Sequence, residues 1–65
     1  MPYPTQEPRP VLVTGAAGLI GYSLALELQR RGHEVTGLDL RARPAPFRMH
    51  AGDVRDARLL EKLVP

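Results

Sequence analysis

An incomplete α/β fold built on a parallel sheet is predicted here from three features of the chain. Short aliphatic runs at Val11–Val13 and Val35–Leu38 have the length and side-chain type of buried strands. Between them, Leu19 to Arg31 carries apolar residues at helical spacing. Glycines stand at positions 15, 18 and 21, where the first run gives way to the helix, although glycine is a poor helix former. Two strands separated by a helix of this length must pair in parallel through a right-handed crossover.

Residues 1–10, MPYPTQEPRP, hold four of the seven prolines and read as a disordered leader. They lack the apolar stretch of a secretion signal. Val11–Val13 is the first strand, ended by Thr14 and Gly15. In the helix that follows, Ile20, Leu24 and Leu28 recur at i, i+4 and i+8 with Ala25 beside them, which predicts the buried stripe. Arg30 and Arg31 complement the dipole in its last turn, and Gly32 is placed to be the C′ residue. Val35–Leu38 returns as the second strand after the short GHE connection, with Asp39 at its carboxyl end. RARPAP is a loop, because proline removes backbone donors and biases the preceding residue away from helix. Phe47–Ala51 is a third short strand and GDVRD a turn. Asp56 then caps a partial helix with Leu59, Leu60 and Leu63 on one side.

Size and composition narrow the function. A 65-residue chain is one domain at most. It buries only about 60% of its unfolded surface, a marginal amount without a staple or partner, and it has no cysteine for a disulfide. Nine basic and seven acidic side chains leave a net charge of +2, with the basic ones spread from Arg9 to Lys62. Only Tyr3, Tyr22 and Phe47 are aromatic, so a solvated surface is expected rather than a nucleic-acid patch. No run approaches the ~18 apolar residues of a membrane span, and the cytoplasm is the default setting. His33 and His50, 17 positions apart without cysteines, do not suggest a metal site.

The glycines need a chemical reason. A turn that binds phosphate between strand and helix needs backbone freedom, no side chain between its amides and the ligand, and close packing of helix on strand. Gly15 would make the turn, Gly18 would admit a pyrophosphate, and Gly21 would let the helix lie near the sheet. The N–H groups around Leu19 and Ile20, at the positive end of the helix dipole, are the expected donors. Asp39 ends the next strand 18 residues after Gly21 and 24 after Gly15, the arrangement by which a carboxylate reaches the adenosine ribose hydroxyls of a dinucleotide. Residues 11–65 are therefore read as the first part of a Rossmann-type dinucleotide-binding domain. The triphosphate-binding pattern G-x-x-x-x-G-K-[ST] fails, since Ile20 lies five residues after Gly15 and Tyr22 follows Gly21.

The segments TGAAGLIG, RRGHEV, LDL and GDVRD resemble the start of the extended short-chain dehydrogenase/reductases, the NAD-dependent epimerase/dehydratase group. Thr14 to Gly21 follow that group's T-G-x-x-G-x-x-G pattern position for position. The resemblance implies NAD as cofactor, Asp39 as the ribose-binding acid, and Asp53 with Val54 as the adenine-contacting pair. It also implies a nucleotide sugar as a candidate substrate of the complete protein. The group's catalytic Tyr-x-x-x-Lys is missing: Tyr22 is followed four positions later by Leu26 and Tyr3 by Glu7, and Lys62 is the single lysine. No catalytic residue is assigned on this chain, which reads as a segment inactive alone. A non-catalytic dinucleotide-binding or sensing module, or the remnant of a truncated gene, is the alternative. Arg41, Arg43 and Arg48 leave one matter open, since they could either hold the 2′-phosphate of NADP or form a solvated loop.

Overall fold

The computed structural model describes residues 7–65. The leader expected over residues 1–10 lies outside the described residues as far as position 6. Five elements follow: β1 (Pro10–Thr14), α1 (Leu19–Arg30), β2 (Glu34–Asp39), β3 (Arg48–Ala51) and α2 (Ala57–Leu63). The three strands form one parallel sheet in the order β1-β2-β3. β1 opens at Pro10, one residue earlier than expected, and Pro10 stands opposite Glu34. A proline is tolerated as the first residue of a strand because its missing donor interrupts nothing there. The adjoining ladder bond runs from the Glu34 N–H to the Arg9 carbonyl, 3.0 Å.

β3 starts at Arg48 rather than Phe47. Phe47 instead packs with Val11, Leu28 and Met49 around a core of Val13, Ala16, Ala25 and Val35. Leu38, fully buried, points to the opposite sheet face from Val35, as strand alternation requires. The α2 leucines Leu59, Leu60 and Leu63 are all half-buried, and Asp56 caps α2 by accepting from the Arg58 and Leu59 N–H groups.

α1 turns a different stripe inward from the one its largest apolar residues predict. Ile20 and Leu24 are 82% and 51% exposed, whereas Ala25 is fully buried and Leu28 packs on the core. The inward line is Gly21, Ala25 and Leu28. Gly21 decides this, because a Cβ there would lie 2.7 Å from the Gly15 carbonyl carbon and overlap its oxygen. The helix backbone rests on the turn at that point, and only small residues permit the approach.

The end of α1 is closed as the sequence indicates. Gly32 has φ of 92°, and the Gly32 and His33 N–H groups donate to the Gln29 and Leu28 carbonyls at 2.9 and 3.1 Å. These are the two bonds of a Schellman motif. Glu27 accepts from Arg30 and Arg31 in the same turn, and the hydrogen bond from Arg30 does most to hold its carboxyl down at about 2.

Among the described residues β1 pairs on one side only, so its other edge presents backbone groups with no partner strand there. Little apolar area remains to offset the ordering entropy of the chain. The 65 residues taken alone are therefore expected to be at best partly folded. Thermal unfolding of that segment at micromolar concentration should be broad, and a sharp cooperative transition from a monomer would contradict this.

Candidate functional site

The carboxyl ends of the strands gather the residues singled out in the sequence. Gly15 leaves β1 with φ of 67°, the left-handed region that favours glycine. The turn is then tied to the sheet and to itself by Ala16 N–H donating to the Leu38 carbonyl at 3.2 Å and Gly18 N–H to the Gly15 carbonyl at 3.1 Å. Gly18 is the N-cap of α1 in extended conformation and offers no side-chain cap. The N–H groups of Leu19, Ile20 and Gly21 lie in the first helical turn, where the intrahelical ladder supplies no acceptor. The Leu19 side chain is 86% exposed beside them.

Asp39 sits at the end of β2, half-buried, and its Oδ2 accepts from the Ala17 N–H at 3.0 Å. The acid and the glycine turn, 22 residues apart, are thus in direct contact. Sequence reasoning had set Asp39 near the turn but had not assigned Ala17 a part. Its signal was its place in the middle of the glycine pattern, facing the strand that ends in the acid.

Asp53 and Val54 come to the same rim of the sheet. β2 and β3 are in register up to Asp39 and Ala51, and the Gly52 N–H extends the ladder by donating to the Asp39 carbonyl at 2.8 Å. The Asp53 carboxylate is held by Arg55, whose backbone N–H donates to Oδ1 at 2.8 Å and whose guanidinium donates to Oδ2 at 2.8 Å. The side-chain hydrogen bonds from Arg55, and then the backbone one, hold the Asp53 carboxyl below the usual carboxylate range. The sign follows: the pair is fully formed above the ordinary aspartate value and is lost as pH falls through the lowered one. Both partners face water, so the pair contributes little to stability. Val54 is 47% exposed, and Leu40, which the sequence reading left aside, is 70% exposed just past Asp39. Exposed apolar side chains at this rim can flank an aromatic base.

The three arginines separate in space. Arg48 opens β3 opposite Thr36, three residues before Asp39 on β2, and so belongs to the amino end of the strands. Arg41 is exposed. The Arg43 guanidinium lies over the Tyr22 ring, 3.9 Å from its centroid. Such a contact contributes about 0.5–1 kcal/mol when exposed. Tyr22 also meets Phe47, with ring centroids 5.7 Å apart, and its hydroxyl donates to the Pro44 carbonyl at 3.4 Å. A cavity of about 560 Å³ between Gln29, His33, Thr36 and Pro46 lies at the amino ends of β2 and β3, removed from the glycine turn.

The donor set fits a dinucleotide. Free helix-end amides suit a pyrophosphate, an acceptor-only carboxylate with an uncommitted oxygen suits ribose hydroxyls, and apolar side chains suit a base. No helix among the described residues is long and apolar enough to cross a membrane.

Comparison with known proteins agrees with this chemistry. Two UDP-glucuronate 4-epimerases of Arabidopsis thaliana are similar to the chain. The one numbered 3 is 43% identical over 68 residues and the one numbered 4 is 41% identical over the same length. Each match takes in 82% of this chain, which spans only 16% of the relative's length. Residues 11–65 match the NAD dependent epimerase/dehydratase family throughout. With its parallel sheet, its glycine turn and the acid bound to that turn, the chain belongs to the NAD dependent epimerase/dehydratase family.

Proposed function

We propose that this chain holds NAD through the glycine turn and Asp39, as the cofactor-binding segment of an epimerase or dehydratase acting on a nucleotide sugar. The contact between Asp39 Oδ2 and the Ala17 N–H carries the reading. It supports a site in which one carboxylate serves the ribose while the neighbouring amides serve the pyrophosphate. In this reading Gly15, Gly18, Leu19, Ile20 and Gly21 form the pyrophosphate cradle, and Asp53 and Val54 meet the adenine. When bound, NAD supplies a reversible hydride acceptor. The residues of this chain bind and orient it, and the proton-transferring tyrosine and lysine belong elsewhere in the complete protein. The nucleotide sugar is argued from the names of the relatives and the cytoplasmic setting from composition.

NAD is preferred over NADP in this proposal, because a 2′-phosphate would bring about 1.5 to 2 negative charges against the Asp39 carboxylate. Dissociation constants of the full-length protein and its Asp39→Ser variant should be measured with each cofactor. Asp39→Ser is expected to weaken NAD binding about tenfold, the scale of a lost charge-assisted hydrogen bond, and to narrow the gap to NADP. Equal or tighter NADP binding by the unmodified protein would overturn the assignment.

A second reading is a module that binds dinucleotide without chemistry. A Tyr-x-x-x-Lys in a longer reading frame supports the enzyme, and a stop codon directly after Pro65 supports the module or a gene remnant.

A further inference from the structure

The connection between β2 and β3 contains no helix. Eight residues, Leu40 to Phe47, make the crossover, where parallel strands usually need about a dozen or more. What fastens this short connection is one side of α1. Tyr22 and Gln29 stand seven residues apart, so they share a helix face. Tyr22 carries the Arg43 guanidinium on its ring, reaches the Pro44 carbonyl with its hydroxyl and packs against Phe47. Gln29 donates through Nε2 to the Pro46 carbonyl. Pro44 and Pro46 fix φ on either side of Ala45, so the segment that carries Arg43 has little freedom of its own.

Arg43 is four residues past Asp39, and Tyr22 is the residue after Gly21. A guanidinium in that place would otherwise attract a phosphate on the adenosine ribose. Among the described residues Arg43 forms no ion pair, and its charge rests on the ring instead.

We propose that Tyr22 is a cofactor-selectivity residue, which keeps Arg43 stacked on its ring and so withholds it from the 2′-phosphate of NADP. The inference rests on the dinucleotide reading above and adds a second discriminator to Asp39. Asp39 repels the extra phosphate, and Tyr22 denies it a counter-charge.

The test is a set of NAD and NADP dissociation constants for the full-length protein and four variants. Arg43→Ala alone leaves both constants unchanged, because the guanidinium is already engaged. Tyr22→Leu frees it and tightens NADP binding by no more than about two- to fivefold, because a phosphate contact stronger than the exposed cation–π stack would already draw Arg43 off the ring, with NAD unaffected. The double variant Tyr22→Leu with Arg43→Ala loses that gain. Tyr22→Phe keeps the ring and behaves as the unmodified protein, which separates the stack from the hydroxyl contact to Pro44. Weaker NADP binding by Arg43→Ala alone overturns the proposal, since the arginine would then already reach the phosphate, and this variant does not depend on how well Tyr22→Leu folds. A gain that survives in the double variant also overturns it and points to Arg41. If NAD binds none of the five proteins, the dinucleotide reading itself fails; if NAD binds and the constants do not move with Tyr22, only this inference does.

Discussion

Gly21→Ala is expected to destabilise the protein by about 3 kcal/mol or more, at the upper end of overpacking costs. The added methyl would overlap the Gly15 carbonyl oxygen and lie 3.3 Å from the Ala16 Cα. All of these neighbours are backbone atoms of a turn already bonded to β2, so none can step aside as a flexible side chain would. Relief requires α1 to lift from the sheet, which would uncover Ala25 and Leu28. Denaturant titration of the full-length protein measures the effect. A midpoint within error of the unmodified protein would show that the turn yields more easily than its hydrogen bonds suggest. Alanine is the better helix former, so a large loss at this position could not come from helix propensity.

Gly18→Val separates binding from folding. Gly18 is extended, with φ of −76° and ψ of 169°, a conformation open to any residue. Its Cβ would meet only the Gly15 carbonyl oxygen, at 3.3 Å, a tight contact that a small shift relieves. A branched side chain there would nonetheless stand between the first-turn amides and a pyrophosphate. Cofactor affinity is expected to fall at least about a hundredfold, equivalent to about 2.7 kcal/mol, with a smaller change in unfolding midpoint than Gly21→Ala produces. Calorimetric titration with NAD reads the first quantity and chemical denaturation the second. Unaltered NAD affinity would remove the pyrophosphate from this turn.

The two glycines show what can and cannot be read from the chain. The need for glycine at 15 and 32 was visible from the ends of a strand and a helix, and both residues have positive φ. The cap at Asp56 and the order of the elements were equally local matters. The face of α1 was not, because hydrophobic periodicity weighs the size of Ile20 and Leu24, while the approach of Gly21 to a carbonyl is a distance set by the fold. The rim of the site was legible as a pattern of glycines and acids, but not the atoms that join them. The Ala17 bond to Asp39 and the stacking of Arg43 on Tyr22 each span more than 20 residues, beyond the reach of spacing rules. Arg55 is the opposite case: it stands two residues from Asp53 and was overlooked because a turn sequence does not reveal which side chain folds back.

The bond from Ala17 N–H to Asp39 has a consequence for how a ligand would be received. It closes the carboxylate onto the turn within the folded chain itself, so the relative placement of these two groups is settled during folding and not at the moment of capture. Less conformational entropy is then lost on association, and rigid prearrangement of this kind strengthens affinity without adding a contact. The same bond leaves Oδ1 as the less committed acceptor, giving the carboxylate one oxygen for the scaffold and one turned to the visitor.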